Sequence, residues 1–210
     1  AGYTSDVAAC ISDLSCVAGK SMMHDLVHRL AREIGPVPSD AFLITATTKG
    51  GIDSLERLQR GGCADYRDLL LSSLPETLGR RLGLKHAGIN ISAACASSTI
   101  AVARGAAMIA SGMRDAVLVC CADLVTEFVF SGFSSLGALS PVPCMPFDRR
   151  RRGMSLGEGA ASLLLMSRDR AHKENRPALG KILGWGAASD ASHITAPARD
   201  GSGLIKACLL

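Results

Sequence analysis

Aromatic side chains are scarce in this sequence: one Trp, two Tyr and five Phe make up 4% of 210 residues. A core built here must rely on aliphatic and small side chains and on close backbone packing. Base stacking has little to work with, and no basic patch with interleaved aromatics is present, so nucleic acid is not an expected partner. Charge is sparse too. Asp, Glu, Lys and Arg make up 20%, with a net charge of +4, mild enough to suit at most an acidic partner. No apolar run approaches the length a bilayer needs, and no signal peptide is read, so no membrane association is expected. Eight cysteines are present, yet none forms a C-x-x-C pair and no His cluster accompanies them, which argues against a metal site. Free thiols in a reducing cytoplasm are the expectation. What the chain does have is 48% hydrophobic residues and 22 glycines, the make-up of a compact globular protein.

The periodicities alternate between helix and strand. Met22, Leu26, Leu30 and Ile34 recur every four residues and predict a helix over 21–34, ended by Pro36 and Pro38. Residues 41–47 read as a buried strand, 53–59 as a short helix, and 69–82 as further helix with Pro75 near a start. Residues 116–122 read as a second buried strand, in which Cys120 and Cys121 point to opposite faces. The stretch 131–159 is rich in Gly and Pro and reads as a long loop. A strand over 161–166, a helix over 169–174 and a glycine-broken strand over 178–188 follow. The chain closes on the start of a helix, 203–210, apolar and without a cap. Such alternation predicts an α/β fold with a mostly parallel sheet.

Residues 88–112 stand out. Residues 89–94 suit a short buried strand, and from Ala96 the small and apolar residues favour a helix. Cys95 is thus predicted where a strand stops and a helix begins. The first N–H groups of a helix are unpaired and its dipole is positive there, an environment that favours thiolate over thiol. The small neighbours Ala93, Ala94, Ala96 and Ser97 leave room for a substrate carbonyl. The plainer reading of a lone cysteine is inert packing.

Ser92-Ala93-Ala94-Cys95-Ala96-Ser97-Ser98 resembles the active-site segment of the β-ketoacyl synthases, condensing enzymes of the thiolase fold. Similar segments follow in order: 115–123, 132–141, 144–148, 153–160 and 189–197. The resemblance implies a layered αβα thiolase-like arrangement, with residues 1–210 as the N-terminal half of the domain, lacking the fold's first strand and its C-terminal half. It implies that Cys95 accepts an acyl group from a carrier-protein thioester, ahead of decarboxylative Claisen condensation with malonyl carrier protein in fatty-acid or polyketide synthesis. No cofactor is implied beyond the phosphopantetheine of that carrier. The implied partners are acyl carrier protein and a second copy in a homodimer.

Phe133 matches a residue that lines and gates the acyl pocket, and His193 and Thr195 match a segment near the substrate entrance. The plainer readings are a core aromatic and satisfied loop hydrogen bonds. Glu158, between two glycines, reads as a carboxylate that takes backbone N–H bonds and fixes its loop. Arg149 to Arg152 read as a solvated run, or, with Arg80, Arg81 and Lys85, as a docking face for the acidic carrier. None of the five histidines falls in a catalytic-histidine motif, so the isolated chain is expected not to condense substrates. A non-catalytic chain-length partner and a non-decarboxylating acyltransferase or thiolase-type enzyme are the alternatives.

Overall fold

The computed structural model describes every residue except Ala1, Gly2, Thr4, Ala18, Ile194 and Thr195. Its centre is a four-stranded sheet in the order β3-β2-β4-β6, made of β2 (Phe42–Ala46), β3 (Ile89–Ile91), β4 (Ala116–Asp123) and β6 (Gly159–Met166). β2 runs parallel to both β3 and β4, and β6 returns antiparallel to β4. The two central strands read as near-continuous apolar runs because both of their faces are covered, as buried parallel strands require.

Alternation sorts the side chains of β2 and β4 between two layers. Leu43, Leu118, Cys120 and Ala122 face α1 (Met23–Glu33) and α3 (Ser73–Arg81), meeting Met23, Leu26, Val27, Leu74 and Leu78. Ile44, Ala46, Val117 and Val119 face α4 (Ser97–Ala110), meeting Ala101 and Met108. The result is the expected αβα layering. Cys120 lies in the first layer, where burial pushes its thiol up to about 12, and Cys121 packs toward the second. Gly105 lets α4 approach the sheet: a Cβ there would lie 2.9 Å from Leu165 and 3.1 Å from Val117. Each fully buried Leu or Val of this core contributes about 1.5–3 kcal/mol.

The remaining elements are α2 (Asp53–Gln59), a 3-10 turn (Tyr66–Leu69), α5 (Glu127–Ser135), α6 (Arg168–Lys173), α7 (Ser202–Leu209), and the two-residue strands β1 (Ala8–Ala9) and β5 (Leu156–Gly157). β1 and β5 pair with each other outside the main sheet. Glu158 secures them: its carboxylate accepts the N–H of Ile11 at 2.6 Å and of Val125 at 3.1 Å, as the loop-fixing reading requires.

Three expectations need correction. Residues 89–94 do not form a buried strand: β3 is a three-residue edge strand, with Ile89 40% exposed, because it has a neighbour on one side only. Residues 178–188 form no strand. They pair with neither sheet edge, and Leu179 and Leu183 stand in solvent. The predicted loop 131–159 begins later, because α5 runs on to Ser135 from a capped start: the Thr126 hydroxyl accepts the Val129 N–H.

Candidate active site

Parallel strands deliver their loops to the carboxyl edge of the sheet, the usual place for a site in an α/β protein. Two strand-to-helix crossings arise there from neighbouring strands, one after β2 and one after β3, and β4 ends beside them at Asp123.

The crossing after β3 carries Cys95. Ile91 ends the strand and Ser97 begins α4, so the cysteine lies two residues ahead of the helix, and it is exposed. Ala94 holds a left-handed backbone, φ 49°. For a residue with a Cβ this costs about 1–2 kcal/mol, so something must hold it. Ala96 N–H donates to Ala93 C=O at 3.1 Å, and Ser97 N–H donates to Ala94 C=O at 3.1 Å. The Ser97 hydroxyl adds two more bonds: it accepts the Ala93 N–H at 2.8 Å and donates to Ala94 C=O at 2.6 Å. Ser97 is therefore buried and spent on the turn rather than leaving room for a substrate. Among the described residues these bonds use the N–H groups of Ala93, Ala96 and Ser97 and leave that of Cys95 out of the turn. A side chain thrown outward by a left-handed turn at the mouth of a helix has the form of a nucleophile elbow.

The crossing after β2 has the opposite character. The Thr47 hydroxyl donates to Asp123 Oδ1 at 3.0 Å and accepts the Gly50 N–H at 3.1 Å. Asn90 of β3 donates to Thr47 C=O at 3.1 Å and accepts the Thr45 hydroxyl at 2.9 Å. Beyond the loop, Asp53 accepts the Ser21 hydroxyl and the Met22 N–H, and Asp68 accepts the Ser21 N–H at 2.7 Å while meeting His24 Nε2 at 2.7 Å. Asp123 is exposed as a residue, and the partial burial of its carboxyl raises its pKa against the opposing pull of Thr47. Nothing in the spacing of the sequence singled out Thr47, Asn90, Asp53, Asp68 or Asp123, although acids amid apolar neighbours were a signal to follow.

Of the residues expected at the site, Phe133 lies half-buried in the last turn of α5, the helix that leaves the carboxyl end of β4. Cys95 and Phe133 thus sit on segments leaving the same sheet edge. His193 lies in the exposed stretch beyond α6, with its Nδ1 accepting the Ala196 N–H at 3.2 Å. Thr195 lies outside the described residues. A cleft of about 250 Å³ elsewhere is lined by Cys16, Met22, Asp53, Glu56, Arg57, Arg60 and Gly62, none of them a predicted site residue. His24 is engaged by Asp68 and His28 by Arg81. Arg149 to Arg152 are exposed, with Arg150 held to Asp148. No helix among the described residues is long and apolar enough to cross a membrane.

Residues 56–171, which include the Cys95 turn, α4, β4, α5 and β6, match the family described as Beta-ketoacyl synthase, N-terminal domain. The chain belongs to the β-ketoacyl synthase family. Nodulation protein E of Rhizobium meliloti (strain 1021) is 35% identical over 171 residues, 76% of this chain and 42% of that protein. The 3-oxoacyl-[acyl-carrier-protein] synthase 2 of Staphylococcus aureus is 34% identical over 116 residues, 52% of this chain and 29% of that protein. Among solved structures, the ishigamide ketosynthase/chain length factor superposes with a TM-score of 0.76 at 27% identity, over 93% of this chain and 53% of that one. The chain thus spans less than half the length of these curated relatives and about half of that ketosynthase structure, and its α/β fold is the thiolase-like one.

Proposed function

We propose that Cys95 is the nucleophile of a ketosynthase half-site and accepts an acyl group from the phosphopantetheine thioester of an acyl carrier protein. The observation that carries this reading is an exposed thiol at a left-handed turn two residues before a fourteen-residue helix, inside the segment that matches the family. The Cys95 sulfur attacks the thioester carbonyl as its thiolate, its proton having passed to solvent. The oxygen turns negative in the tetrahedral intermediate, and the Cys95 N–H serves as one donor to it. Collapse expels the carrier's pantetheine thiolate, and the acyl group remains on Cys95. Phe133 lines the acyl channel, and His193 and Thr195 stand near its mouth. Condensation with malonyl carrier protein also needs basic groups at the carboxylate that is lost. None of the five histidines falls in a catalytic-histidine motif, so on this reading the chain alone loads an acyl group without condensing it.

The exposed run Arg149 to Arg152 is the surface on which an acidic carrier docks in the cytoplasm. Arg80, Arg81 and Lys85 precede β3 at the amino edge of the sheet, away from the Cys95 turn, and stand outside that surface. The protein works as a homodimer in fatty-acid or polyketide synthesis, with the short edge strand β3 covered by its twofold mate. Likeness to a ketosynthase/chain length factor gives the non-catalytic partner a place as second reading. The retained, exposed Cys95 favours the catalytic one.

The test is thioester consumption. An acyl carrier protein mixed with the chain should lose its acyl group at a rate that falls as salt rises. The Cys95→Ala variant should leave the thioester intact. No consumption by the wild type would assign the chain to the non-catalytic reading, and equal consumption by the variant would move the chemistry away from Cys95.

A further inference from the structure

We infer that Ser97 is the positioning residue of the Cys95 nucleophile: its hydroxyl clamps the left-handed turn that presents the thiol. The inference rests on the reading of Cys95 as the acyl acceptor and extends it to a residue that touches neither substrate nor sulfur.

The argument is geometric. A hydroxyl can accept and donate through one atom, and Ser97 Oγ does both. It accepts the Ala93 N–H at 2.8 Å and donates to the Ala94 carbonyl at 2.6 Å. Those two groups bracket the Ala93–Ala94 peptide, the unit whose orientation sets φ of Ala94 at 49°. Ser97 is buried, 7% exposed as a residue, so water is a poor substitute partner at either bond. Ser97 is also the first residue of α4, so the clamp ties the turn to the helix whose N-terminus faces the thiol. Alanine at 97 keeps the backbone bond from residue 97 to Ala94 C=O but leaves the Ala93 N–H without its partner. Relaxation of Ala94 toward the ordinary right-handed region then swings the Cα–Cβ bond of Cys95.

The experiment measures alkylation of the 210-residue chain by iodoacetamide, site by site, by mass spectrometry. The rate at Cys95 is divided by the rates at the exposed Cys63 and Cys144. Four proteins form a cycle: wild type, Ser97→Ala, Ala94→Gly and the double variant. Ser97→Thr serves as the rescue. The swing withdraws the exposed sulfur from the reagent, so the Cys95 ratio should fall several-fold in Ser97→Ala. It should stay within about twofold of wild type in Ser97→Thr, which keeps the hydroxyl. In the Ala94→Gly background the same Ser97→Ala change should have little effect, because glycine holds a positive φ without help.

An unchanged Cys95 ratio in Ser97→Ala overturns the inference. So does a fall of the same size in both backgrounds, which would mark Ser97 as generic support of the fold. If Ser97→Ala is too unstable to measure, a fall in the Cys95 ratio of the double variant against Ala94→Gly alone still overturns the inference. The readout compares variants at one site and needs no carrier protein. A wild-type Cys95 no faster than Cys63 would therefore count against the acyl-acceptor reading while the effect of Ser97 remained measurable.

Discussion

The crossings after β2 and β3 leave the same edge of one sheet, and they are built on opposite plans. The β2 crossing is tied from every side: Asn90 of β3 and Asp123 of β4 hold Thr47, the Asp68 carbonyl in the 3-10 turn accepts the Gly51 N–H, and Ser21, just ahead of α1, donates to Asp53 at the start of α2. The β3 crossing is closed by its own residues, Ala93 to Ser97, and turns a thiol outward. Satisfying buried polar groups stabilises a fold. A short self-contained turn of alanines secures little else, but it leaves a thiol approachable. With the proposed function, structure falls to one crossing and chemistry to the other, and substitutions at each should separate the two.

The largest effect is expected at Cys95. Cys95→Ala should lower acyl transfer from the carrier by at least about a thousandfold, as loss of a nucleophile does. Its unfolding midpoint should report a stability change of only about 0.5 kcal/mol or less, as at other exposed positions. A large loss of stability there would erase the contrast between the crossings.

The β2 crossing should behave in reverse. Asp68→Ala strands the buried Ser21 N–H and removes the partner of His24, so denaturant unfolding should show a loss of about 1–3 kcal/mol. Gly51→Ala sharpens the point. A Cβ there would lie 2.7 Å from Ser21 and 2.8 Å from the Asp68 carbonyl, and the forced shift should cost about 1–3 kcal/mol on the same assay. In both variants the Cys95 alkylation rate should hold in the folded protein.

The smallest effect is one of pH. Burial holds the Asp123 carboxyl above its usual range, so its neutral form is the better fit in the folded state. The folded protein therefore binds this proton more tightly than the unfolded chain does. Its contribution is full below the ordinary carboxylate pKa and is lost as pH rises through the higher, folded value. Asp123→Asn cannot ionise. Melting temperatures taken across that window should show the variant gaining on the wild type as pH rises. A constant difference would place the carboxyl in solvent.

The sequence made some of this legible and hid the rest for physical reasons. β2 and β4 announce themselves because strands buried on both faces are apolar throughout. α1 shows through its fourfold spacing, and the Cys95 turn shows through a run of small residues between a strand and a helix. The role of Glu158 was readable because a carboxylate between glycines has backbone N–H groups for partners. Ser97 gave no sign, since its two bonds depend on how far one hydroxyl reaches after the turn has formed. Asp53 and Asp68 were equally silent, because their partners at Ser21 and Met22 lie 31 to 47 residues away in the chain. The predicted strand over 178–188 failed because apolar residues give a segment β-propensity without giving it a neighbour, and neither sheet edge takes it as one.

The account stands or falls on where an acyl group goes. After incubation with an acylated carrier protein, the chain should be digested and each cysteine-bearing peptide weighed. The peptide holding Cys95 should carry the acyl mass, and those holding Cys10, Cys16, Cys63, Cys144 and Cys208 should not. Acyl mass on any of those five, with Cys95 bare, would contradict it.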